Sequence, residues 1–301
     1  MLSRTLDLDG PVHVADFGGA GPTMVLVHGL GGSHANWLAV GPALAAHARV
    51  LAPDLPGFGR TPLAGRSAHV HAGVALVDSL LDTVADGPAI LVGNSMGGLI
   101  AMMQAAACPE KVAGLVLVGP AQPRPRRALV DPAVALTFAA YVFPGVGEQF
   151  VRWRAAWLGP ERLVRQTLAF CCADPTGVPP EVVAAHVAVA RERQQMPWAH
   201  PAFLEAARSI FAILARSRDM QAMVRRIAAP TLLIQGSEDR LVPLAAARAL
   251  AALRPDWSLE VFERVGHVPQ LEAPERFVAT VAAWLRDATC GTDQAAFGRS
   301  S

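Results

Sequence analysis

Ala89-Ile90-Leu91-Val92-Gly93-Asn94-Ser95-Met96-Gly97-Gly98 decides how this chain is read. Four apolar residues run into a cluster of small ones, and the chain then continues without a charge to Cys108. By length alone, this uncharged stretch would also admit a membrane span. The small residues break it at its middle, however, where a lipid-embedded helix has no use for a break. A strand buried on both faces, a tight turn and a buried helix account for the pattern.

The same unit recurs on both sides. Short apolar runs at 24–27, 50–52 and 114–118 are bounded by Gly, Pro and Asp, with helical segments such as 70–85 between them. This alternation predicts a parallel, doubly wound α/β sheet. Upstream, 6–9 and 12–16 read as a hairpin turning near Gly10-Pro11. After Pro230 the pattern returns, with strands at 231–234 and 259–262 and a helix at 245–253. A closing helix at 274–286 sets Phe277, Val281, Trp284 and Leu285 on one stripe. Residues 291–301 are small and polar and predict a disordered tail.

From 122 to 226 the character changes. No strand-like run is evident, and apolar and charged residues mix at helical spacing. Fourteen Arg against eight Asp or Glu give this stretch a net +6, which leaves −5 for the rest of the +1 chain. An all-helical cap at 122–226, inserted into a core of 1–121 and 227–290, fits this pattern. Trp153, Trp157, Trp198 and Phe143 are candidates for a substrate pocket in that cap. For each Trp the competing reading is the cap's own core.

Composition bounds the rest. The chain has 301 residues, 52% of them apolar and 17% charged, which excludes a disordered or fibrous protein. A formal charge of +1 gives no case for nucleic acid. The four cysteines lack paired spacing, which argues against a zinc site or a disulfide framework, and Cys171-Cys172 reads as two small core residues. The N-terminus shows no apolar leader with a cleavage site, so a cytoplasmic setting without a stable membrane span is the expectation.

Gly93-Asn94-Ser95-Met96-Gly97 satisfies G-x-S-x-G between a strand and a helix, the context in which a serine becomes a nucleophile. The helix that follows points its first amides toward the same place, so the Met96 N–H is a candidate oxyanion donor. His28-Gly29-Leu30-Gly31-Gly32 follows the run at 24–27, and the Leu30 N–H is the second candidate. Its spacing matches neither a dinucleotide fingerprint nor a P-loop, and no Lys follows, so no nucleotide cofactor is implied.

A serine hydroxyl needs a base. His267, in Gly266-His267-Val268-Pro269, follows the run at 259–262, at the strand end where open α/β sheets build their sites. His28 reads as a structural ring holding its loop. His13, His34, His47, His69, His71, His186 and His200 fall in loops, helices or the cap and read as mostly solvated. The base in turn needs a carboxylate. Gln235-Gly236-Ser237-Glu238-Asp239-Arg240 offers two, Glu238 and Asp239. Asp54, in Asp54-Leu55-Pro56-Gly57-Phe58-Gly59, is assigned to loop packing.

These landmarks, joined by Val242-Pro243 and Glu272-Ala273-Pro274-Glu275, resemble the α/β-hydrolase superfamily over 6–285. The resemblance implies an α/β-hydrolase fold, a mostly parallel eight-stranded sheet flanked by helices, with an inserted helical cap. It selects Asp239 over Glu238 and gives the triad order Ser95, Asp239, His267. It further implies an esterase- or lipase-like enzyme cleaving a carboxylic ester of a small to medium hydrophobic substrate through an acyl-enzyme, with no cofactor or metal. Ser95 separates the chain from epoxide hydrolases and dehalogenases, which carry Asp at the elbow.

The elbow is also similar to that of meta-cleavage C–C hydrolases, which act on 2-hydroxy-6-oxo-dienoates. Those enzymes typically carry Trp where this chain has Val268, and they use a cap arginine for the substrate carboxylate. Arg152, Arg154, Arg191 and Arg193 are available for that role. A ligand-binding member of the fold without turnover is a third reading, opposed by the filled triad.

Overall fold

In the computed structural model, which describes residues 1–297 except 126, 127 and 130, the strands are β1 (Leu2–Asp7), β2 (Pro11–Gly18), β3 (Thr23–Val27), β4 (Arg49–Pro53), β5 (Ala89–Asn94), β6 (Val112–Val118), β7 (Thr231–Gly236) and β8 (Ser258–Phe262). They form one sheet in the order β1-β2-β4-β3-β5-β6-β7-β8. β2 runs antiparallel to both its neighbours, and every other pairing is parallel.

The apolar runs are buried on both faces because the strand period of two divides them between two cores. Val25, Leu91, Leu115, Leu117 and Leu233 point into one. Met24, Leu26, Ile90, Val92, Val116, Leu232 and Ile234 point into the other, with Trp37, Phe262 and Phe277.

The longer helices are α1 (Val70–Val84), α2 (Met96–Ala107), α3 (Pro132–Val142), α4 (Val146–Cys171), α5 (Pro180–Gln194), α6 (Ala199–Leu214), α7 (Ser217–Arg226), α8 (Leu244–Leu253) and α9 (Pro274–Phe297). The uncharged stretch 89–108 is therefore β5, a turn and α2. No single helix among the described residues is long and apolar enough to cross a membrane. Gly159, at φ +66°, breaks α4 just before Pro160.

Between β6 and β7 the described residues hold helices and no strand. α6 and α7 differ from the three helices before them, because Ala202, Ala206 and Ile210 of α6 and Met220 and Val224 of α7 enter the same core as Leu99 and Met102 of α2. Among the described residues of this segment, the part that places no side chain in either sheet core is α3 to α5, two helices shorter than the cap drawn from sequence. An amphipathic helix looks the same in sequence whichever layer it packs on, which explains the difference.

The tail also differs from expectation. Helical backbone continues from Pro274 to Phe297, and residues 298–301 lie outside the described ones. Gly291 is the sole helix-breaking residue between Asp287 and Phe297, and Ala and Gln there favour helix.

Candidate active site

β3 is the point where strand order reverses, since β4 lies on one side of it and β5 on the other. At such a point the loops leaving the two neighbouring strands part and open a crevice at their carboxyl ends. Ser95 sits there. Its φ of +54° and ψ of −114° are strained for a non-glycine residue, at about 1–3 kcal/mol. Main-chain bonds hold it in place, with its amide donating to Val118 O at 2.9 Å and its carbonyl accepting from Ala121 N at 2.9 Å. From 89 to 102 Ser95 is the one residue that is not buried. Gly97 makes this possible, since a Cβ there would lie 2.0 Å from Val27 O.

His267 and Asp239 arrive from the loops after β8 and β7. His267 Nδ1 donates to Asp239 Oδ2 at 2.7 Å. The other bonds to Asp239 come from Gln235 Nε2 to Oδ2 at 2.8 Å, and from Leu241 N and Val242 N to Oδ1, each at 2.9 Å. With its carboxylate fixed so completely, Asp239 sets the tautomer that leaves His267 Nε2 as the acceptor. That Nε2 is buried and has no hydrogen-bond partner among the described residues.

The elbow touches the histidine loop directly, because Asn94 Nδ2 donates to His267 O at 3.1 Å. Gly119, at φ +47°, completes the junction. A Cβ there would stand 3.1 Å from both Asp239 Oδ2 and His267 Nδ1.

The histidine loop has a second anchor that the sequence did not announce. His267 N donates to Cys171 O, the end of α4, at 2.7 Å. Glu272 clasps both sides of this contact. Its Oε1 accepts from Ala173 N and Asp174 N at 3.0 and 2.9 Å, and its Oε2 from Gly266 N at 2.8 Å. Burial pushes the Glu272 carboxyl above the usual range against the pull of these amides. Glu272 stood in the sequence as a landmark with no role, since its three partners are main-chain groups.

Val27 of β3 lies opposite Gly93 of β5, so the Gly-rich loop leaves the sheet beside the elbow. A Cβ on Gly29 would be 3.2 Å from Ser95 Cβ. The amides of Leu30 and Met96 donate to no acceptor among the described residues, as oxyanion donors must before substrate arrives. His28 behaves as a structural ring. Its Nδ1 donates to Gly29 O at 2.8 Å and its Nε2 accepts from Leu55 N at 3.0 Å. Burial lowers it to about 4, which keeps it neutral.

Two other histidines depart from expectation. His13 and His34 are buried rather than solvated, and both ring Nδ1 atoms lie 3.0 Å from Asp54 Oδ2. Burial opposes ionisation of Asp54, but the His13 and His34 rings beside it outweigh it and hold the carboxyl well below its usual range. The three side chains have the spacing of a metal cluster. Yet Oδ1 already accepts from His34 N at 2.6 Å and Oδ2 from Arg60 N at 2.8 Å, so both carboxylate oxygens are already engaged. Asp54 therefore packs its loop, as the sequence suggested, and alternation along the chain could not reveal its two distant partners.

Sequence comparison agrees with this geometry, for the family described as alpha/beta hydrolase fold matches residues 22–274. The chain belongs to the α/β-hydrolase family. It is 35% identical to a pimeloyl-[acyl-carrier protein] methyl ester esterase of Aromatoleum aromaticum, over 84% of this chain and 94% of the relative. It is 32% identical to a 2-hydroxy-6-oxo-2,4-heptadienoate hydrolase of Pseudomonas putida, over 89% and 90% respectively. Among solved structures, a meta-cleavage product hydrolase from Pseudomonas fluorescens superposes with a TM-score of 0.72 at 26% identity, covering 96% of this chain and 98% of that one.

The aromatic candidates between β6 and β7 divide. Trp153, Trp157 and Phe143 are exposed to solvent rather than enclosed, and the two indoles stack on each other at 5.6 Å. Trp198 is half-buried. The side chains that meet the Gly-rich loop are others. Tyr141, Leu204 and Ala207 form a small cluster against which Leu30 and Phe203 pack. The Phe203 ring also comes 3.1 Å from where a Cβ on Gly31 would be. Phe203 and Tyr141 sit on helices with no motif around them, so their role depends on how α3 and α6 fold over the loop.

The four cap arginines are also sorted. Arg191 pairs with Glu161 at the surface, and exposed Arg152 donates to Glu148 O. Arg193 spends its guanidinium on Gly57 O and Ala199 O beside the Phe58 ring, and burial lowers it to about 10. Arg154 alone of the four joins the aromatic cluster, with Nη1 donating to Tyr141 Oη at 3.2 Å.

Proposed function

We propose that this chain is a serine hydrolase cleaving a carboxylic ester of a small to medium hydrophobic substrate through an acyl-enzyme. One observation carries the reading. A histidine whose Nδ1 is locked to a carboxylate presents an unpartnered, buried Nε2 at the strand ends where a strained serine is partly exposed. Nothing about that arrangement serves packing. It leaves a buried polar atom unsatisfied and holds a residue at positive φ.

The steps follow from these groups. Nε2 of His267 takes the Ser95 proton as Oγ bonds to the ester carbonyl carbon, and Asp239 stabilises the imidazolium. The carbonyl oxygen, now negative, is met by the Leu30 and Met96 amides, each worth about 2.7–4 kcal/mol in the barrier. His267 returns its proton to the departing alcohol. Water, deprotonated by the same Nε2, then attacks the acyl carbon and releases the acid and Ser95. The apolar cluster of Tyr141, Phe203 and Leu204 beside Leu30 supports an apolar group on the substrate. A methyl ester esterase at 35% identity supports the ester bond.

Cleavage of a carbon–carbon bond in a 2-hydroxy-6-oxo-dienoate is the second reading. It is favoured by the 32% identical relative and by Arg154, a cation placed on the aromatic cluster where a substrate carboxylate would find it. Val268, by contrast, packs away among Val164, Leu168 and Leu271 and offers nothing to a substrate. Comparing kcat/KM for p-nitrophenyl butyrate and for a 2-hydroxy-6-oxo-dienoate separates the two. Preference for the ester supports the proposal, and clear preference for the dienoate replaces it with the second reading.

A further inference from the structure

The large apolar side chains left exposed gather in one part of the chain. Apart from Met1 and Leu2 at the start and Phe211, those recorded as exposed all fall between Leu129 and Trp157. α3 carries no charged residue along its length, and its exposed positions Ala133, Ala135, Leu136 and Ala139 are all apolar. Leu136 is 74% exposed. The turn that follows, with Phe143 and Val146, continues in kind. α4, packed against α3, adds the stacked pair Trp153 and Trp157, the latter 71% exposed. Soluble monomers rarely leave a grouped apolar surface of this kind open to water.

The charges around it have one sign left over. Every acid between 122 and 171 is already in an ion pair, Asp131 with Arg240, Glu148 with Arg208 and Glu161 with Arg191. Arg124, Arg152, Arg162 and Arg165 are exposed and form no ion pair among the described residues. The occupant of this face must therefore be apolar and anionic together. A second copy docking cap to cap would bring two segments of net +6 into contact, which opposes self-association through it. An uncharged helix, exposed indoles and flanking arginines are the composition that settles at the headgroup layer of a bilayer.

We propose that α3 and α4, with Arg152, Arg162 and Arg165, form a peripheral docking surface for an anionic lipid bilayer, independent of which bond the enzyme cleaves. The test is cosedimentation of the full chain with vesicles of phosphatidylcholine, with and without phosphatidylglycerol, at low and high salt. Binding to the phosphatidylglycerol vesicles, weakened by salt, with a blue shift of Trp fluorescence, is the expected result. The triple variant R152Q/R162Q/R165Q should lose roughly a hundred-fold of that affinity. W153S/W157S and, on the other helix, L136S should each weaken binding while far-UV circular dichroism stays unchanged.

No binding at low salt would overturn the proposal, as would equal binding with and without phosphatidylglycerol. So would a monomer–dimer equilibrium abolished by W153S/W157S, or binding of an acidic soluble protein by this face without any binding of vesicles.

Discussion

The amide of His267 donates to the carbonyl oxygen of Cys171 at 2.7 Å, so the last residue of α4 supports the loop that carries His267. The helical segment between β6 and β7 meets the loop after β8 at this bond. Any displacement of the end of α4 is passed to the imidazole, whose useful position is defined to a fraction of an ångström. Glu272 keeps the two sides together by accepting amides from both.

Removing that clasp should slow turnover more than it weakens binding. Glu272→Ala is expected to lower kcat about 10- to 100-fold with KM little changed. Glu272→Gln, which keeps one acceptor oxygen, should fall between the variant and the parent. Steady-state kinetics on a soluble aryl ester measures this. A lowered Tm with unchanged kcat would mean that Glu272 braces the fold and does not position the base.

Gly119 offers a sharper probe of the same geometry. A methyl group there would press on both ends of the His267–Asp239 bond, and its φ of +47° strains any side chain. Gly119→Ala should cost about a hundred-fold in kcat/KM while the protein stays folded. Near-parental activity would show that the triad does not need this contact.

Asp239 and Glu238 are neighbours with opposite predicted roles. Asp239 is buried and bonded to His267, whereas Glu238 is exposed. Asp239→Asn should lower kcat by about 10⁴-fold, because the amide favours the wrong imidazole tautomer. Glu238→Gln should be near neutral. The reverse pattern would move the acid by one residue.

Stability should fall in mild acid. Burial lowers His28 and His186 from 6.5 to about 4, so the unfolded chain takes up protons that the folded one refuses. Their contribution is intact above about pH 6.5 and is lost as pH falls toward 4, to the order of 3 kcal/mol for each. His186 Nε2 also lacks a partner, so His186→Leu should flatten this dependence without destabilising the protein at neutral pH. Urea unfolding at several pH values measures it, and an unchanged slope in the variant would contradict it.

Much of this was legible in the chain itself. The strand–turn–helix at Ser95, the strand-end positions of Asp239 and His267 and the structural role of His28 are local patterns, set by apolar runs and the small residues that end them. What stayed hidden depends on contacts across long separations. His13 and His34 around Asp54, Glu272 reaching Ala173, and Phe203 over Leu30 join segments that no periodicity connects. The cap suffered most, because its helices share one composition, and exposed Trp153 and buried Tyr141 look alike until α3 and α4 are packed.

The central claim is that Ser95 is an activated nucleophile, and covalent labelling tests it most directly. Treating the folded protein with a fluorophosphonate and mapping the adduct by mass spectrometry should place one label on Ser95. Ser95→Ala should abolish it and His267→Ala should slow it severely. A folded protein that remains unlabelled, or that carries the label on another residue, would contradict the account.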